Sequence, residues 1–574
     1  MTEEHNLKID IEVIKAWEKN DIDKNSREEL KTLRLQAEKG SPEAIDYLNE
    51  AFKTDLAFGT AGLRAEMGPG PNKMNSSVVA RAAKGISDYL LEKLGKNYKV
   101  VIGYDARYNS KDFATLSAKI ITANKGKVYL LNSPQPTPVS VFASKKLKAD
   151  ATIVVTASHN PAEDNGYKVY LGKRLGGEYG DGVQIVPPAD KEIFDLIKAS
   201  PKPCDIKQKD DYEIIPSSIL NEYISHVCST TLKLFPANSN KNLKIVTTAL
   251  HGVGGRALNT ALFKLGFQYI WNVEEQHIPD PNFPTVEFPN PEEPGALELA
   301  IALAKKKNAD IILANDPDAD RCSVAIKTAK GYRQLNGDEI GSLLGNLVAS
   351  QHKNKDVYLA NSIVSSRLLS HIASSHNVKH TETLTGFKWI ARTPKLVFGY
   401  EEAIGFCLDP DTIRDKDGIS ACLAIACYAD ALNDRNKTLQ DILDIFALKF
   451  GLHFTSQLSI RAKQDLIEHG LENLKYNPPT FLASSKVVKI VDLMKPTNGL
   501  EPTPGYIFYT AANDRIIVRP SGTEPKIKCY IETIVPPEIV GPSYLAMKDM
   551  RNPMTQASGR IAQLKTDIRK ATGL

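Results

Sequence analysis

The sequence predicts an α/β protein, and three observations support that class. Strand and helix signals alternate from about residue 98 onward, which is typical of mainly parallel sheets joined by crossover helices. Apolar residues make up 42% of the chain and aromatic residues 7%, which suits globular units with full cores. Short apolar runs repeatedly end in loops that are rich in functional residue types. Because ligands bind at the carboxyl ends of strands in open α/β sheets, these loops are the candidate sites.

The predicted elements begin with helices within residues 8–52. Ser26 to Glu29 has the Ser-x-x-Glu form of a capping box, and Ser41-Pro42 offers an N-cap followed by proline at the first helical position. Five core strands are then predicted, around 100–102, 153–155, 245–246, 311–313 and 396–398. Near the C-terminus, 515–518 and 527–531 flank a turn, and a charged helix from about Gln556 to Lys570 closes this last unit.

Length, charge and cysteine usage exclude several classes of protein. The 574 residues suffice for about three or four domains. The net charge is only +4, so the chain has no strong electrostatic field that would indicate binding to nucleic acid or membrane lipid. We find no apolar stretch of membrane-spanning length and no signal peptide at the acidic N-terminus. Seven cysteines without paired CxxC spacing fit reduced thiols, so we expect a cytoplasmic protein.

Ser158 is predicted to lie at the end of a buried strand. Residues 151–155 form a β-branched apolar run, and an Asn-Pro pair soon afterwards turns the chain. Lys168 follows a second turn and could return to the same pocket. The alternative is a Ser/Asn-rich loop that satisfies its own backbone. A serine hydrolase fits less well, because G-x-S-x-G is missing and His159 is poorly placed as the in-line base of its neighbour.

Asp316, Asp318 and Asp320 stand at alternate positions after another predicted strand. In an extended loop this spacing brings the three side chains to one side, where hard oxygen ligands suit Mg²⁺ or Ca²⁺. An EF-hand is excluded, since Arg321 stands where glycine is required and Lys327 where glutamate is required. The alternative is an Asp-rich turn on the surface.

The segment from Arg519 to Lys526 has the composition of a phosphate-binding loop. Arg519 supplies a guanidinium, Ser521 and Thr523 supply hydroxyls, and Gly522 exposes backbone N–H groups. The order of residues is not that of a Walker A loop. A plain hairpin turn is the alternative.

Two further loops give weaker signals. Glu401 and Glu402 lie between glycines after an apolar run, and carboxylates can accept hydrogen bonds from sugar hydroxyls or act as acid or base. Paired acids are more often a solvated turn. Arg64 ends a glycine-containing turn that begins at Phe58, which by itself indicates little.

A dinucleotide-binding fingerprint competes with these interpretations. The segment Gly252–Ala257 has the pattern G-x-G-x-x-A after a predicted strand, and Glu274 follows about twenty residues later. An NAD(P)-binding oxidoreductase is therefore an alternative, and a tight strand-to-helix turn is the structural explanation of the same pattern.

Four ordered motifs together resemble the α-D-phosphohexomutase superfamily, and most closely its phosphoglucomutase-2/phosphopentomutase branch. They are T-A-S-H-N-P-x-x-x-N-G-x-K, D-P-D-A-D-R, G-Y-E-E-A-I-G and R-P-S-G-T-E-P-K. The resemblance extends from about Phe58 to Tyr530. It implies three related α/β domains and a C-terminal α+β domain around a central cleft. We place the boundaries at 1–205 (phosphoserine loop), 206–330 (metal loop), 331–445 (sugar loop) and 446–574 (phosphate loop).

The resemblance also implies roles for individual residues. Ser158 would be the phosphoserine, and one of its phosphate oxygens would join Asp316, Asp318 and Asp320 in holding Mg²⁺. Proton transfer and charge stabilisation would involve His159, Lys168 and Arg321, with His159 and Lys168 both open as the general base. Substrate contacts would come from Arg64, Lys388, Glu401, Glu402, Arg519, Ser521, Gly522 and Thr523.

The activity implied is isomerisation of small phosphosugars by a monomer. Ribose or deoxyribose 1-phosphate and 5-phosphate, and glucose 1-phosphate and 6-phosphate, would interconvert through a bisphosphate, with glucose 1,6-bisphosphate as activator. Many relatives have E-x-S-G-H in the sugar loop, whereas this chain has Glu402-Ala403-Ile404-Gly405-Phe406. Fewer hydrogen bonds to a hexose are then available, which favours the branch that also accepts pentose phosphates. A glucose-1,6-bisphosphate synthase using the same phosphoserine is the alternative within the fold.

Overall fold

The computed structural model describes residues 6–58, 62–235, 241–495, 499–521, 526–547 and 550–574. These residues form two compact units. The first contains the chain up to residue 333 together with 409–426, and the second contains 334–408 and the chain from 427 onward. No helix in the described ranges has the length and apolar character needed to cross a bilayer.

Three helices open the first unit: α1 (Ile11–Asn20), α2 (Lys24–Glu38) and α3 (Pro42–Ala51). The predicted N-cap at Ser41 is confirmed, since its side chain accepts a hydrogen bond from the N–H of Ala44. The predicted capping box at Ser26 is wrong. Helix α2 begins at Lys24 and is capped by Asp23, so Ser26 lies inside the first turn and its hydroxyl donates to Asp21.

The first sheet has the strand order β1-β5-β4-β2-β3-β7, with β6 paired to β5. Its elements are β1 (Leu63–Glu66), α4 (Ser76–Leu94), β2 (Lys99–Tyr104), α5 (Ser110–Ala123), β3 (Lys127–Leu131), α6 (Thr137–Leu147), β4 (Ala151–Val155), β5 (Asp164–Leu171), α7 (Lys173–Gly180), β6 (Val183–Gln184), α8 (Ala189–Ala199) and β7 (Glu213–Ile215). Every residue of β4 is buried, as expected for a β-branched strand in the centre of a covered sheet. Strand β5 returns antiparallel to β4 and places Lys168 opposite Val154.

The second sheet has the order β12-β11-β10-β8-β9. Its elements are α9 (Ser218–Leu234), β8 (Ile245–Thr248), α10 (Gly254–Lys264), β9 (Ile270–Asn272), α11 (Glu274–His277), α12 (Glu298–Lys307), β10 (Ile311–Ala314), β11 (Ser323–Thr328) and β12 (Gly331–Leu335). Strand β10 is parallel to β8 and antiparallel to β11. The three aspartates therefore lie on the connection of a β10–β11 hairpin.

The remaining elements form two more sheets. A four-stranded sheet, β14-β13-β15-β16, is followed by a six-stranded sheet, β17-β22-β21-β20-β19-β18. The elements are α13 (Gly337–Gln351), β13 (Tyr358–Ser362), α14 (Leu368–Ser375), β14 (Lys379–Thr383), α15 (Phe387–Ile390), β15 (Leu396–Glu401), β16 (Gly405–Cys407), α16 (Gly418–Asn433), α17 (Leu439–Phe450), β17 (Leu452–Arg461), α18 (Gln464–Tyr476), β18 (Phe481–Leu482), β19 (Ser485–Asp492), β20 (Tyr506–Thr510), β21 (Arg515–Pro520), β22 (Lys526–Val535), α19 (Pro537–Met547) and α20 (Arg551–Thr572).

The predicted α/β class is confirmed, and the five predicted core strands are β2, β4, β8, β10 and β15. The sheets are mixed rather than mainly parallel. Strands β5, β11 and β16 each return directly beside the strand before them, so each of the first three sheets combines parallel pairs with an antiparallel hairpin. Strand pairing in the last sheet is antiparallel, as the predicted strand–loop–strand element requires.

Candidate active site

Ser158 begins the site, three residues beyond the end of β4. Its side chain is buried, and its hydroxyl donates a hydrogen bond of 2.8 Å to Oδ2 of Asp316. Its backbone has φ of 53°, in the left-handed region that non-glycine residues seldom occupy. The N–H of Ser158 donates to Oγ1 of Thr156, which stabilises this turn. The predicted position of the serine at a strand end is confirmed.

A buried arginine, Arg107, holds the backbone of the Ser158 loop. Its guanidinium donates to four carbonyl oxygens of that loop, those of Ser158, Asn160, Pro161 and Asp164. Oδ2 of Asp105, which is also buried, lies 3.4 Å from Nε of Arg107. The sequence analysis assigned Arg107 no role. A signal that could have found it is the Asp-Ala-Arg segment that follows the predicted strand at 100–102.

Asp316, Asp318 and Asp320 converge as predicted, although their loop is not extended. Each is at most 1% exposed, and one oxygen of each lies within 4.8 Å of the others. The loop turns at Ala319, whose φ is 56°, and the Ala319 N–H donates to the Asp316 carbonyl oxygen. Oδ1 of Asp318 and Oδ1 of Asp320 are buried without a hydrogen-bond partner. A buried, hard-oxygen cluster with unpaired acceptors could hold a divalent cation.

Three cationic side chains surround the aspartates. Nζ of Lys168 lies 2.6 Å from Asp318 and 2.8 Å from Asp320. Nε of Arg321 lies 3.9 Å from Asp316 and 3.7 Å from Asp320. Lys416 adds a third charge, 3.3 Å from Asp320. Sequence reasoning missed Lys416, because nothing in its local pattern links it to a loop about a hundred residues earlier.

The environment separates the proton affinities of these carboxyls. Burial and the neighbouring carboxylates raise the pKa of Asp316 well above its usual range. Burial also acts to raise the pKa of Asp320, but Lys168, Lys416 and Arg321 outweigh it and hold that pKa below its ordinary value. Of the three carboxyls, Asp316, which contacts Ser158, is therefore the one whose pKa is raised, while those of Asp318 and Asp320 are lowered.

His159 and Arg64 lie beside the same centre. Nδ1 of His159 is 3.4 Å from Oγ of Ser158. Burial, followed by the charges of Arg321 and Arg64, lowers the pKa of His159 well below its ordinary value. Arg64, on β1, donates to Oδ1 of Asn160, while its buried Nε has no hydrogen-bond partner. A buried guanidinium with an unused N–H is suited to binding an anion.

The glycine turn after β8 has a structural explanation. A Cβ added to Gly252 would lie 2.2 Å from Cα of Pro317, so the turn is packed against the aspartate loop. The N–H of Val253 donates to the carbonyl oxygen of Pro317, an interaction that a bound pyrophosphate would need for itself. The dinucleotide interpretation of Gly252 to Ala257 is therefore wrong, and the glycine is required by the close approach of Pro317.

Replacing Gly252 with alanine should displace the aspartate loop. Because the clash is with backbone atoms, we expect a loss of about 1–3 kcal/mol of stability. Gly559→Ala is the matched control, since no atom lies within 4 Å of its added Cβ inside helix α20, and helix propensity predicts a gain of up to about 1 kcal/mol. Thermal melts of the two variants should move in opposite directions. A Gly252→Ala protein as stable as wild type would refute this packing.

The predicted sugar-loop residues belong to the second unit. Oε2 of Glu402 accepts hydrogen bonds from the hydroxyls of Ser362 at 2.9 Å and Ser365 at 3.1 Å. Burial, followed by the charge of Asp338, raises the pKa of Glu402. Glu401 is also buried, at the end of β15. Lys388 lies in α15, which follows Gly386 with φ of 112°.

The predicted phosphate loop lies between β21 and β22, also in the second unit. Arg519 is opposite Lys528 in the strand register, and the N–H of Ser521 donates to the carbonyl oxygen of Lys526. Gly522 and Thr523 lie outside the described residues. The described part is thus a hairpin with a partly exposed arginine at the end of its first strand.

Comparisons with known proteins agree with this site and fold. The chain matches the three alpha/beta/alpha domains of the phosphoglucomutase/phosphomannomutase family at residues 55–203, 221–331 and 336–448, and its C-terminal domain at 479–539. It is 44% identical over 464 residues to a probable phosphomannomutase of Haemophilus influenzae, covering 80% of this chain and 93% of that one. It is 36% identical over 580 residues to the phosphopentomutase of Homo sapiens, covering 92% of both.

A solved structure shows the same fold. A phosphoglucomutase/phosphomannomutase family protein from Burkholderia thailandensis aligns with a TM-score of 0.67 and 17% identity, covering 90% of this chain and 98% of that one. The family match and the named relatives show an enzyme that transfers phosphoryl groups. The chain belongs to the phosphoglucomutase/phosphomannomutase family and is a phosphosugar mutase. The comparisons favour neither the oxidoreductase nor the bisphosphate synthase.

Proposed function

We propose that this mutase interconverts ribose or deoxyribose 1-phosphate with the 5-phosphate, and glucose 1-phosphate with the 6-phosphate, through phosphorylated Ser158. The observation that supports this most directly is the hydrogen bond of 2.8 Å from Ser158 to Asp316, within a buried aspartate cluster. A serine at this position can carry a phosphoryl group next to a cation. The phosphopentomutase relative and the resemblance of the motifs support the choice of sugars.

Asp316, Asp318 and Asp320 would hold Mg²⁺ together with an oxygen of the phosphoserine. The unpartnered oxygens of Asp318 and Asp320 fit this cation, which prefers carboxylate ligands. When bound, Mg²⁺ would offset the charge of about −1.5 to −2 that phosphoserine carries. Arg107 fixes the loop that presents Ser158, and Lys168, Arg321 and Lys416 supply further positive charge.

The proposed reaction has two reciprocal transfers. A sugar hydroxyl attacks the phosphorus on Ser158, its oxygen–phosphorus bond forms, and the Ser158 Oγ–phosphorus bond breaks. The hydroxyl proton passes to His159 or Lys168, which lie beside Ser158 and the aspartates respectively. The resulting sugar bisphosphate then returns its other phosphoryl group to Ser158. Glucose 1,6-bisphosphate would act as activator by rephosphorylating a serine that has lost its phosphate.

The substrate would be held by residues of both predicted binding loops. Glu401 and Glu402 would contact sugar hydroxyls, and Arg64 and Lys388 would contact the reacting phosphate. The non-reacting phosphate would bind Arg519 and Ser521 with Gly522 and Thr523. Ile404 and Phe406 are buried against the core, so they offer no polar group to a hexose, which supports acceptance of the smaller pentose.

We also propose a cytoplasmic location, supported by seven cysteines that all remain free thiols.

Purified protein with Mg²⁺ and a trace of glucose 1,6-bisphosphate tests the substrate assignment. Ribose 1-phosphate and glucose 1-phosphate should both be converted. Mannose 1-phosphate is the informative third substrate, because one relative is named a phosphomannomutase. Turnover of mannose 1-phosphate alone would show that the pentose assignment is wrong.

Arg519→Ala should chiefly raise KM. Loss of a charge-assisted hydrogen bond to phosphate costs about 1.5–3 kcal/mol, so KM should rise on the order of 10- to 100-fold. A smaller loss of kcat should accompany it, since the substrate is oriented less well. Steady-state kinetics measure both constants. Arg569→Ala, on the exposed side of α20, is the matched control and should leave KM unchanged. An unchanged KM in Arg519→Ala would remove Arg519 from the phosphate site.

A further inference from the structure

A cavity in the first unit lies away from Ser158. It has a volume of about 650 Å³, within the range of small-molecule sites. Lys99, the first residue of β2, and Asp150, immediately before β4, line it. Ser158 follows the opposite end of β4, and a strand of five residues spans roughly 17 Å. The cavity is thus at the amino ends of strands whose carboxyl ends carry the active site.

The lining of this cavity is strongly basic. Six basic side chains face three carboxylates, and they come from separate parts of the chain. The basic residues are Lys99, Lys145, Lys148, Lys173, Arg174 and Arg414. Two of the carboxylates are already neutralised, Asp150 by Arg174 and Asp181 by Lys145 at 2.7 Å. The cavity therefore has an excess of positive charge.

Some of these basic side chains are held by hydrogen bonds, and others have no ion-pair partner among the described residues. Arg414 is held by the carbonyl oxygens of Pro410 and Glu178, at 3.1 and 3.2 Å. Lys148 and Lys173 have no ion-pair partner among the described residues. Val141 and Ala149 provide an apolar part of the wall. Fixed guanidinium groups, free ammonium groups and a small apolar surface are what a phosphorylated organic molecule needs.

One chain segment connects the wall of the cavity with the active site. Asp411, Thr412 and Arg414 line the cavity, and Lys416 follows two residues later. Nζ of Lys416 lies 3.3 Å from Asp320, one of the three clustered aspartates. A ligand that orders the segment from 411 to 414 therefore acts on the backbone that positions this ammonium group.

We propose that this cavity is an effector site for a small organic diphosphate, separate from the substrate site and coupled to the aspartate cluster through residues 411–416. A diphosphate carries enough charge to engage Lys148, which follows α6, and Lys173, the first residue of α7, together. Through this coupling the effector would change the rate of the mutase reaction without supplying a catalytic group itself. The coupling rests on the proposed role of the aspartates, whereas the binding itself does not.

Calorimetric titration with ADP tests the site, with adenosine as the uncharged comparison. Wild-type protein should bind ADP and not adenosine. In Lys148→Gln/Lys173→Gln the affinity for ADP should fall at least tenfold. Lys305→Gln/Lys306→Gln removes two exposed lysines from the end of α12 and should bind ADP as wild type does. No binding of ADP, or equal binding by both double variants, would overturn the proposal.

A kinetic experiment tests the coupling. With free Mg²⁺ held constant, ADP should change the mutase rate of wild type at least twofold and leave the rate of Lys148→Gln/Lys173→Gln unchanged. Both proteins should have the same rate without ADP, because neither lysine belongs to the catalytic machinery. Arg519→Ala should still bind ADP, which separates this cavity from the substrate phosphate site. An equal effect of ADP on both proteins would place ADP in the substrate site and overturn the effector role.

Discussion

Ser158→Ala is expected to abolish mutase turnover, with a loss on the order of 10⁴-fold or more, as is typical when a covalent nucleophile is removed. Alanine has no oxygen to carry the phosphoryl group between substrate positions. The residue is buried and its side chain donates only one short hydrogen bond, to Asp316, so the fold should be retained. Substrate binding, measured by calorimetry, should therefore stay close to that of wild type.

Intact-mass analysis tests the same assignment by detecting the phosphorylated protein directly. Wild-type protein as purified should carry a phosphate that maps to Ser158, and the alanine variant should carry none. Ser133→Ala is a matched control, because Ser133 also follows a strand end of this sheet but its hydroxyl bonds, within the described part of the chain, only to its neighbours Asn132 and Gln135. It should retain both phosphate and activity. Normal turnover in Ser158→Ala, or a phosphate mapped to another serine, would refute the assignment.

Asp316→Asn should have the second largest effect. The amide preserves the shape but removes the charge of the carboxyl that lies next to Ser158. Lys168 remains paired with Asp318 and Asp320, so no ammonium group is left buried without a partner. In the proposed site this substitution removes one of three anionic ligands of Mg²⁺, which should lower kcat on the order of 10²- to 10³-fold, equal to about 2.7–4 kcal/mol of transition-state stabilisation.

Mg²⁺ titrations of activity and of melting temperature provide the measurement. Saturating Mg²⁺ should raise the melting temperature of wild type by mass action and that of Asp316→Asn much less. Asp310→Asn is the control, since Asp310 lies before the other end of β10 and accepts a hydrogen bond from the Lys244 N–H at 2.9 Å. It should keep the full response to Mg²⁺. An equal response in Asp316→Asn would exclude Asp316 as a ligand.

The sequence identified those parts of the site that are encoded locally. Ser158 and Asp316 each lie within three residues of the end of a short apolar run, and the strand-end rule was enough to identify both loops. The rule failed where geometry depends on distant chain segments. Arg107 bonds to carbonyl groups more than fifty residues away, and Lys416 reaches Asp320 from a different part of the chain. A local sequence pattern cannot predict such contacts between distant parts of the chain.

Local patterns also misled where the fold overrides them. The Ser-x-x-Glu pattern at Ser26 is a valid cap signal, yet Asp23 starts the helix earlier and its side chain accepts from the N–H groups of Asn25 and Ser26. The glycines after β8 match a nucleotide fingerprint, but the requirement for Gly252 comes from Pro317, which is remote in sequence. In both cases the pattern was interpreted from its own residues, and the deciding contact came from a residue outside the pattern.

The clamp on the Ser158 loop determines which partner has to move during a catalytic cycle. One guanidinium occupies four carbonyl oxygens of this loop, and the adjoining backbone is further held by Thr156. A nucleophile mounted so rigidly cannot travel between the two ends of a sugar. In the proposed mechanism the sugar bisphosphate would therefore rotate while the serine stays still, and it would have to remain bound long enough to do so. Dissociation of that intermediate, rather than motion of the loop, would then set how often the serine has to be phosphorylated again.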